Sequence, residues 1–295
     1  MGVRTASTIT TEFWLRAIRS SYAGSRLLPS VGMATHDTSF RPTLAPAGSV
    51  EEHRYIHVVG VKVFIDNQPA EDSWDRHFLG MHGGVACWGI DVPHGEDPGY
   101  GAEMDLRALF GRISETEWAI AGRAVQLVEW ARTHRFCGRC GEPTRMADAE
   151  RAFVCPACSL MAFPRLAPAI ITLVTRGEGE QQQALLARGA NFPVPMFSCL
   201  AGFVEPGENL EQAVAREVEE EVGIVVDSIA YVASQPWPFP HSLMLGFTAR
   251  WVSGDIVCDT TEIAEAHWYD RDDLPMIPPG ISIARRLIDD WVHRR

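Results

Sequence analysis

Hydrophobic positions along this chain change period several times, and each change marks an element. Residues Tyr55 to Ile65 are rich in Val and Ile and predict a strand. Phe78 to Val92 is apolar but interrupted by glycine and predicts further strand. Ser114 followed by Glu117 has the form of a capping box, in which a serine oxygen takes the N3 amide and a glutamate reaches back. From there Trp118, Ala121, Val125, Val128 and Arg132 follow helical spacing, so a helix delivers the chain to Cys137. Ala169 to Thr175, Ala184 to Leu186 and Ser242 to Val252 predict strands, Asn209 to Val222 a helix, and Ile281 to Val292 a closing helix. Strand and helix mix without a regular βαβ rhythm, which predicts an α+β fold rather than a doubly wound sheet. No internal repeat is apparent in the sequence.

Composition narrows the class. With 295 residues, 46% of them hydrophobic and 22% charged, the chain reads as globular and long enough for about two domains. Motifs divide it further, into an N-terminal domain over 1–130, a cysteine-bearing segment over 131–165 and a third domain over 166–295. The longest mainly apolar run, Leu166 to Val174, is too short to cross a bilayer. Arg4, Glu12, Arg16 and Arg19 interrupt the N-terminal stretch, so no secretory leader is expected and the protein is predicted to be cytoplasmic. A formal net charge of −12 argues against nucleic-acid binding over the whole surface. The segment 131–165 is nevertheless a basic island of net charge +3, carrying Arg132, Arg135, Arg139, Arg145, Arg151 and Arg165. A solvated surface is the plainer reading of that island, and a path for phosphates the sharper one.

The island coincides with four of the seven cysteines, paired as Cys137-Gly-Arg-Cys140 and Cys155-Pro-Ala-Cys158. Two C-x-x-C pairs on either side of a short loop offer four thiolates to one tetrahedral ion. That is the pattern of a structural Zn²⁺ site, filled by protein and closed to catalysis. Disulfides or a redox pair are the alternatives. A structural ion would also stabilise a segment too short to bury a core of its own.

The richest stretch runs from Gly202 to Ile224. Leu210, Val214, Val218 and Val222 form an i, i+4 stripe that should face a core. With Glu217 at the origin of the helical wheel, Glu221 lies at about 40° and Glu220 at about −60°. Three carboxylates thus share one sector beside the apolar stripe, while Glu219 points away. Clustered like charges repel, more so when partly buried, and hard oxygen donors at this density suit Mg²⁺ or Mn²⁺. Arg216 can reach Glu220 one turn on and hold the cluster in shape. Gly202 fits a tight approach, Pro206-Gly207 a turn, and Gly223 a helix cap. An acidic run alone is usually a solvated face, but here the whole frame G-x5-E-x7-R-E-V-x-E-E-x-G-I is present.

That frame resembles the Nudix box, filled at every fixed position. The resemblance implies a Nudix fold, a mixed sheet sandwiched by helices, and metal-dependent hydrolysis of a nucleoside diphosphate linked to another group. Past the box stands Gln235-Pro236-Trp237-Pro238-Phe239-Pro240-His241-Ser242. Its prolines exclude a central strand and leave a stiff extended wall presenting two flat rings, suited to stacking on a base or a nicotinamide. Ordinary loop packing is the plain alternative. Placed after a Nudix box, this segment is similar to the signature of the NADH pyrophosphatase family, and the cysteine ribbon is a second feature of that family.

The resemblance implies the following chemistry and roles. The diphosphate of NADH or NAD⁺ is split to nicotinamide mononucleotide and AMP, and bacterial members also remove NAD caps from RNA. Glu217, Glu220 and Glu221 form the catalytic cluster. Glu217, Glu221, the Ala201 carbonyl and Glu262 are the metal ligands, with Glu265 as the rival to Glu262. Gln235 to Ser242 line the nucleotide, Ala284 gives a backbone contact, and Phe203 and Phe163 are stacking candidates. One structural zinc, catalytic Mg²⁺ or Mn²⁺, and a homodimer complete the set. Cys199 has no matched base in sequence and is not read as a nucleophile. A Nudix hydrolase of another dinucleotide or of an ADP-ribose-type substrate remains the alternative, and an inert nucleic-acid-binding module a third reading.

Overall fold

The computed structural model describes residues 40–46, 48–66, 71–99, 103–191 and 195–294. Among them the chain forms two compact units, one of residues 40–166 with 237–241 and the other of 167–236 with 242–294.

The first unit contains strands β1 (Phe40–Arg41), β2 (His53–Val59), β3 (Lys62–Asp66), β4 (Arg76–His82), β5 (Val85–Asp91) and β6 (Met104–Asp105). They form one sheet in the order β1-β4-β5-β2-β3-β6. The single strand expected over Tyr55 to Ile65 is instead two, β2 and β3, folded back at Gly60, which takes φ 64°. Phe78 to Val92 likewise splits into β4 and β5 at Gly83-Gly84, with φ 55° and 91°. In both places glycine supplies the positive φ that a tight hairpin needs, and side-chain pattern alone does not register it. Helix α1 (Glu115–Thr133) packs on this sheet. Its capping box is present as expected, with the Glu117 N–H donating to Ser114 Oγ at 3.2 Å and the Ser114 N–H to Glu117 Oε2 at 3.2 Å. Trp118, Ala121, Val125 and Val128 are all buried. Arg132 ends that stripe by binding Asp91 and the carbonyls of Val58 and Val92.

A three-stranded ribbon follows, β7 (Arg145–Met146), β8 (Phe153–Val154) and β9 (Met161–Ala162). The ribbon turns at the cysteines repeat one design. The Gly141 N–H donates to the Cys137 carbonyl and the Ser159 N–H to the Cys155 carbonyl, and both residues adopt positive φ.

The second unit is built on β10 (Ala167–Arg176), β11 (Gln183–Gly189), β12 (Leu200–Phe203), β13 (Val225–Trp237), β14 (Ser242–Ser253) and β15 (Ile263–Tyr269). The order is β13-β14-β10-β11-β15, with β12 on β10. β10 runs parallel to β14 and antiparallel to β11 and β12, so the sheet is mixed. Helix α2 (Leu210–Val222) covers one face, where Val214, Val218 and Val222 pack with Ile170, Val174, Leu185 and Phe247. Helix α3 (Ile283–His293) covers the other, with Ile283 against Gly246, the register partner of Ile171. The α+β fold with helices on both faces of a mixed sheet matches the expectation. Strand β13 was not foreseen. It is a sheet edge with six of its thirteen positions exposed and one buried, so it lacks the alternation that marks a half-buried strand. Its edge position is what admits Pro236.

The two sheets are wound alike, a likeness that no repeat in the sequence announces. In the first unit β4-β5-β2-β3-β6 has one parallel pair, β2 with β5, and a helix after its last strand. In the second β13-β14-β10-β11-β15 has the same order of connection, one parallel pair, and a helix after its last strand. Apart from β1 in the first and β12 in the second, the difference is α2. Its counterpart would lie between β3 and β4, where only residues 67–75 connect the strands.

Candidate active site

Asn209 starts α2 by accepting the Gln212 N–H at 2.9 Å, and Gly223 ends it in the left-handed conformation with φ 72°. Between these caps the acidic residues are graded in exposure. Glu221 is buried at 7% exposure, the Glu217 side chain is 13% exposed, and the Glu220 side chain is 62% exposed. The sector drawn from the helical wheel thus runs from core to solvent.

Strand β12 passes in front of these carboxylates. A Cβ on Gly202 would overlap the Glu217 carboxylate, which is why the approach needs glycine. The Asp259 N–H binds the Glu221 carbonyl at 3.0 Å. The rest of the frame converges on Arg216. Its Nε and Nη2 hold both oxygens of Glu208 at 2.5 and 2.8 Å, and Nη1 donates to Glu217 and Glu220 at 2.9 Å each. Nη2 also reaches the Phe203 carbonyl at 3.0 Å. The bidentate pairing holds Glu208 at about 2. Arg216 to Glu220 was legible as an i, i+4 pair. The bridge to Glu208, which stands before the helix, had no periodic signal, although both residues are fixed points of the frame.

Burial raises the pKa of Glu221 well above the usual carboxylate range, and the charges of Glu217 and Glu262 add to the shift. Burial also raises Glu217, against the pull of Arg216. One oxygen of Glu221, Oε2, is buried and has no hydrogen-bond partner. A carboxylate in that state is either protonated or neutralised by a cation. Glu262, half-buried just ahead of β15, faces this cluster, whereas Glu265 is engaged by Arg188 at 2.7 Å. Glu217, Glu221 and Glu262 offer only oxygen donors, the chemistry that a hard divalent ion takes, although their oxygens do not all lie within 4.8 Å of one another.

Other expected site residues fall in several places. Phe203 is half-buried on β12, and Ala284 is fully buried on α3, with its carbonyl 3.9 Å from Cys199 Sγ. Burial pushes the Cys199 thiol far up, which disfavours the thiolate. The Gln235 carboxamide is taken up within the fold, donating to the Ile281 carbonyl at 2.7 Å and accepting the Ile283 N–H at 2.8 Å. It therefore ties β13 to the start of α3. Pro236 is exposed and Ser242 buried.

Residues 237–241 and Phe163 belong to the first unit. There Trp237 and Pro240 are half-buried and Pro238 is buried, while Phe163 is 54% exposed. Phe239 is only 1% exposed, so of the two rings expected on the wall it is Trp237 that keeps open surface. The pKa of half-buried His241 is lowered by burial and then by Arg165, which favours the neutral ring.

In the ribbon, Cys137, Cys140, Cys155 and Cys158 bring their sulfurs within 4.8 Å of one another, the only such donor cluster among the described residues. The nearest pairs are 3.5 Å apart and no disulfide links them. The N–H groups of Arg139 and Cys140 point at Cys137 and bring its thiol down to about 6. Four convergent sulfurs, one already favoured as thiolate, fit a tetrahedral zinc ion.

Comparison with known proteins agrees with these features. The NUDIX domain family matches residues 165–291, the NADH pyrophosphatase zinc ribbon domain matches 132–163, and the NADH pyrophosphatase-like rudimentary NUDIX domain matches 36–130. The last match accords with the repeated sheet order. A protein of Deinococcus radiodurans described as NAD-capped RNA hydrolase NudC is 50% identical over 66% of this chain and 70% of its own length. Proteins of the same description from Stutzerimonas stutzeri and Pseudomonas putida are 47% and 44% identical, over 72% and 75% of this chain and 74% and 78% of theirs.

Proposed function

The chain belongs to the Nudix hydrolases, in the family of NADH pyrophosphatases and NAD-capped RNA hydrolases, and from that premise we propose how its residues divide the work. The protein hydrolyses the diphosphate of NADH and NAD⁺ to nicotinamide mononucleotide and AMP, and removes NAD caps from RNA. The observation that carries the reading is the buried Glu221, with one oxygen unpartnered, set in a helix with Glu217 and faced by Glu262.

Glu217, Glu221, Glu262 and the Ala201 carbonyl would hold Mg²⁺ or Mn²⁺. Such an ion, when bound, neutralises charge on the phosphate oxygens and lowers the pKa of an attacking water. Glu221 is the group assigned to accept that water's proton, since one of its oxygens is held by no group of the protein. Arg216 fixes the direction of Glu217 through four simultaneous partners, so the carboxylate does not reorganise during the reaction. Gln235 sets the start of α3, and with it Ala284, by holding Ile281 and Ile283. Trp237 offers the accessible ring for stacking, with Pro236, Pro238, Phe239, Pro240, His241 and Ser242 as its wall, and Phe203 and Phe163 are further stacking surfaces.

The division into 1–130, 131–165 and 166–295 then corresponds to a Nudix copy lacking the carboxylate helix, a zinc-stabilised ribbon and the hydrolase. Seven free cysteines suit a reducing cytoplasm. No helix among the described residues is long and apolar enough to cross a membrane. The working form is a homodimer, the state the family resemblance implies.

The test is a side-by-side assay of NADH, ADP-ribose and NAD-capped RNA with Mg²⁺ or Mn²⁺, with products identified. AMP and reduced nicotinamide mononucleotide from NADH, together with a monophosphate end on decapped RNA, support the reading. Equal or faster turnover of ADP-ribose replaces it with a broader Nudix specificity.

A further inference from the structure

Residues 237–241 lie among the last strands of the chain in sequence, yet they pack as part of the unit formed by residues 40–166. Three contacts fix them there. Pro238 lies over Gly122 of α1, where an added Cβ would come within 3.0 Å of Pro238 Cγ. The Phe239 N–H closes a tight turn onto the Trp237 carbonyl at 2.8 Å. The Arg107 guanidinium lies over the Phe239 ring, with Cζ 3.8 Å from the centroid.

The third contact is unusual for an arginine. The Arg107 side chain is 4% exposed, so its charge meets the ring out of water, where such a contact is strongest. Arg107 is itself held from behind. Its backbone N–H donates to Asp105 Oδ1 at 2.8 Å, and Asp105 Oδ2 lies 3.9 Å from Nη1. A flat cation stacked on a ring fixes the ring's plane, which a flexible aliphatic side chain of similar size does not. Trp237 in turn stands edge-on to Phe239, with centroids 5.0 Å apart and planes at 70°. The order of support runs Asp105, Arg107, Phe239, Trp237, and only the last of the two rings keeps open surface.

We propose that Arg107 is a positioning residue for substrate recognition, acting from the N-terminal unit through Phe239 to set the plane of Trp237. This rests on the reading of Trp237 as a ring that stacks on the dinucleotide. It gives the copy without a carboxylate helix a part in the reaction: it holds the recognition segment rather than any reacting group.

Steady-state kinetics on NADH test the proposal with Arg107→Met, Arg107→Lys and Phe239→Leu in the full-length, zinc-loaded protein. Arg107→Met keeps length and loses charge, and should raise KM about tenfold while kcat falls by a smaller factor. Arg107→Lys retains a charge but not the flat guanidinium, and should recover only part of that loss. In the double variant Arg107→Met with Phe239→Leu, the KM effect should be no larger than that of Phe239→Leu alone, since Arg107 acts only through the ring. An unchanged KM in Arg107→Met, or additive effects in the double variant, overturns the proposal. Should Arg107→Met not fold, Phe239→Leu carries the test, and a wild-type KM in that variant overturns it. Wild-type protein that leaves NADH intact overturns the functional reading as well, whereas active wild type beside an unaffected Arg107→Met overturns this inference alone.

Discussion

The Glu217 carboxylate occupies the space where a Cβ on Gly202 would stand, so β12 presents no side chain of its own at this contact with α2. This contact fixes the first carboxylate of the site from the strand side, while Arg216 fixes it from the helix side at 2.9 Å. Gly202→Ala must therefore displace Glu217. The expected result is a loss of at least about 100-fold in kcat/KM, the scale on which misplaced reacting groups act. A Tm near wild type in the same variant would locate the effect at the site, and near-normal turnover would count against the assigned role of Glu217.

Arg216 joins Glu208, Glu217, Glu220 and the Phe203 carbonyl through a single planar fork. A lysine cannot reproduce that fork. Arg216→Lys should weaken Mg²⁺ or Mn²⁺ activation about 10- to 100-fold, the range seen when groups that orient metal ligands are removed. Titration of activity against metal concentration measures it, and an unchanged half-saturation point would show that Glu217 is oriented by something else.

The raised pKa of Glu221 has a consequence for stability. Its cause is burial first, then the charges of Glu217 and Glu262. The folded protein keeps a proton that the unfolded chain releases near the ordinary value of 4.5. Without a divalent ion at this site, stability is therefore fully present below that value and is lost as pH rises toward the folded pKa. In magnesium-free and manganese-free buffer, Tm should fall as pH rises above 4.5, and Glu221→Gln should reduce that slope and raise Tm at the alkaline end. The same substitution should cut hydrolysis at least about 100-fold. Equal slopes in wild type and variant would mean that Glu221 is not the buried acid described above.

Zinc should be separable from chemistry. Cys137→Ser removes the sulfur favoured as thiolate and one of four convergent donors. The variant should bind less than one zinc per chain, and its Tm should fall by several degrees or more, because metal binding at such a site is folding free energy. Metal analysis and thermal unfolding decide this, and full stability in a zinc-free variant would argue for a ribbon that folds unaided.

Much of the site was legible along the chain because its signals are local. Asn209, Gly223 and the Val214, Val218, Val222 stripe specify a capped amphipathic helix wherever it lies, and Glu217, Glu220 and Glu221 follow from its 3.6-residue period. The two C-x-x-C pairs gave the zinc cluster for the same reason. Strand β13 left no comparable trace, being an edge with a single buried position, and the hairpins at Gly60 and at Gly83-Gly84 depend on backbone φ rather than on side-chain pattern.

By itself, the sequence determined the carboxylate helix, the cysteine ribbon and the proline-fixed aromatic segment, because each is set by residues within one or two turns of one another. Tertiary structure alone decided that Glu221 is buried, that Glu208 closes on Arg216, that Gln235 is spent on α3, and that Phe239 lies beneath Arg107. It also decided that the first sheet repeats the order of the second. Burial and long-range pairing depend on which segments pack together, and many different apolar sequences satisfy the same packing, so neither is written in any local run of residues.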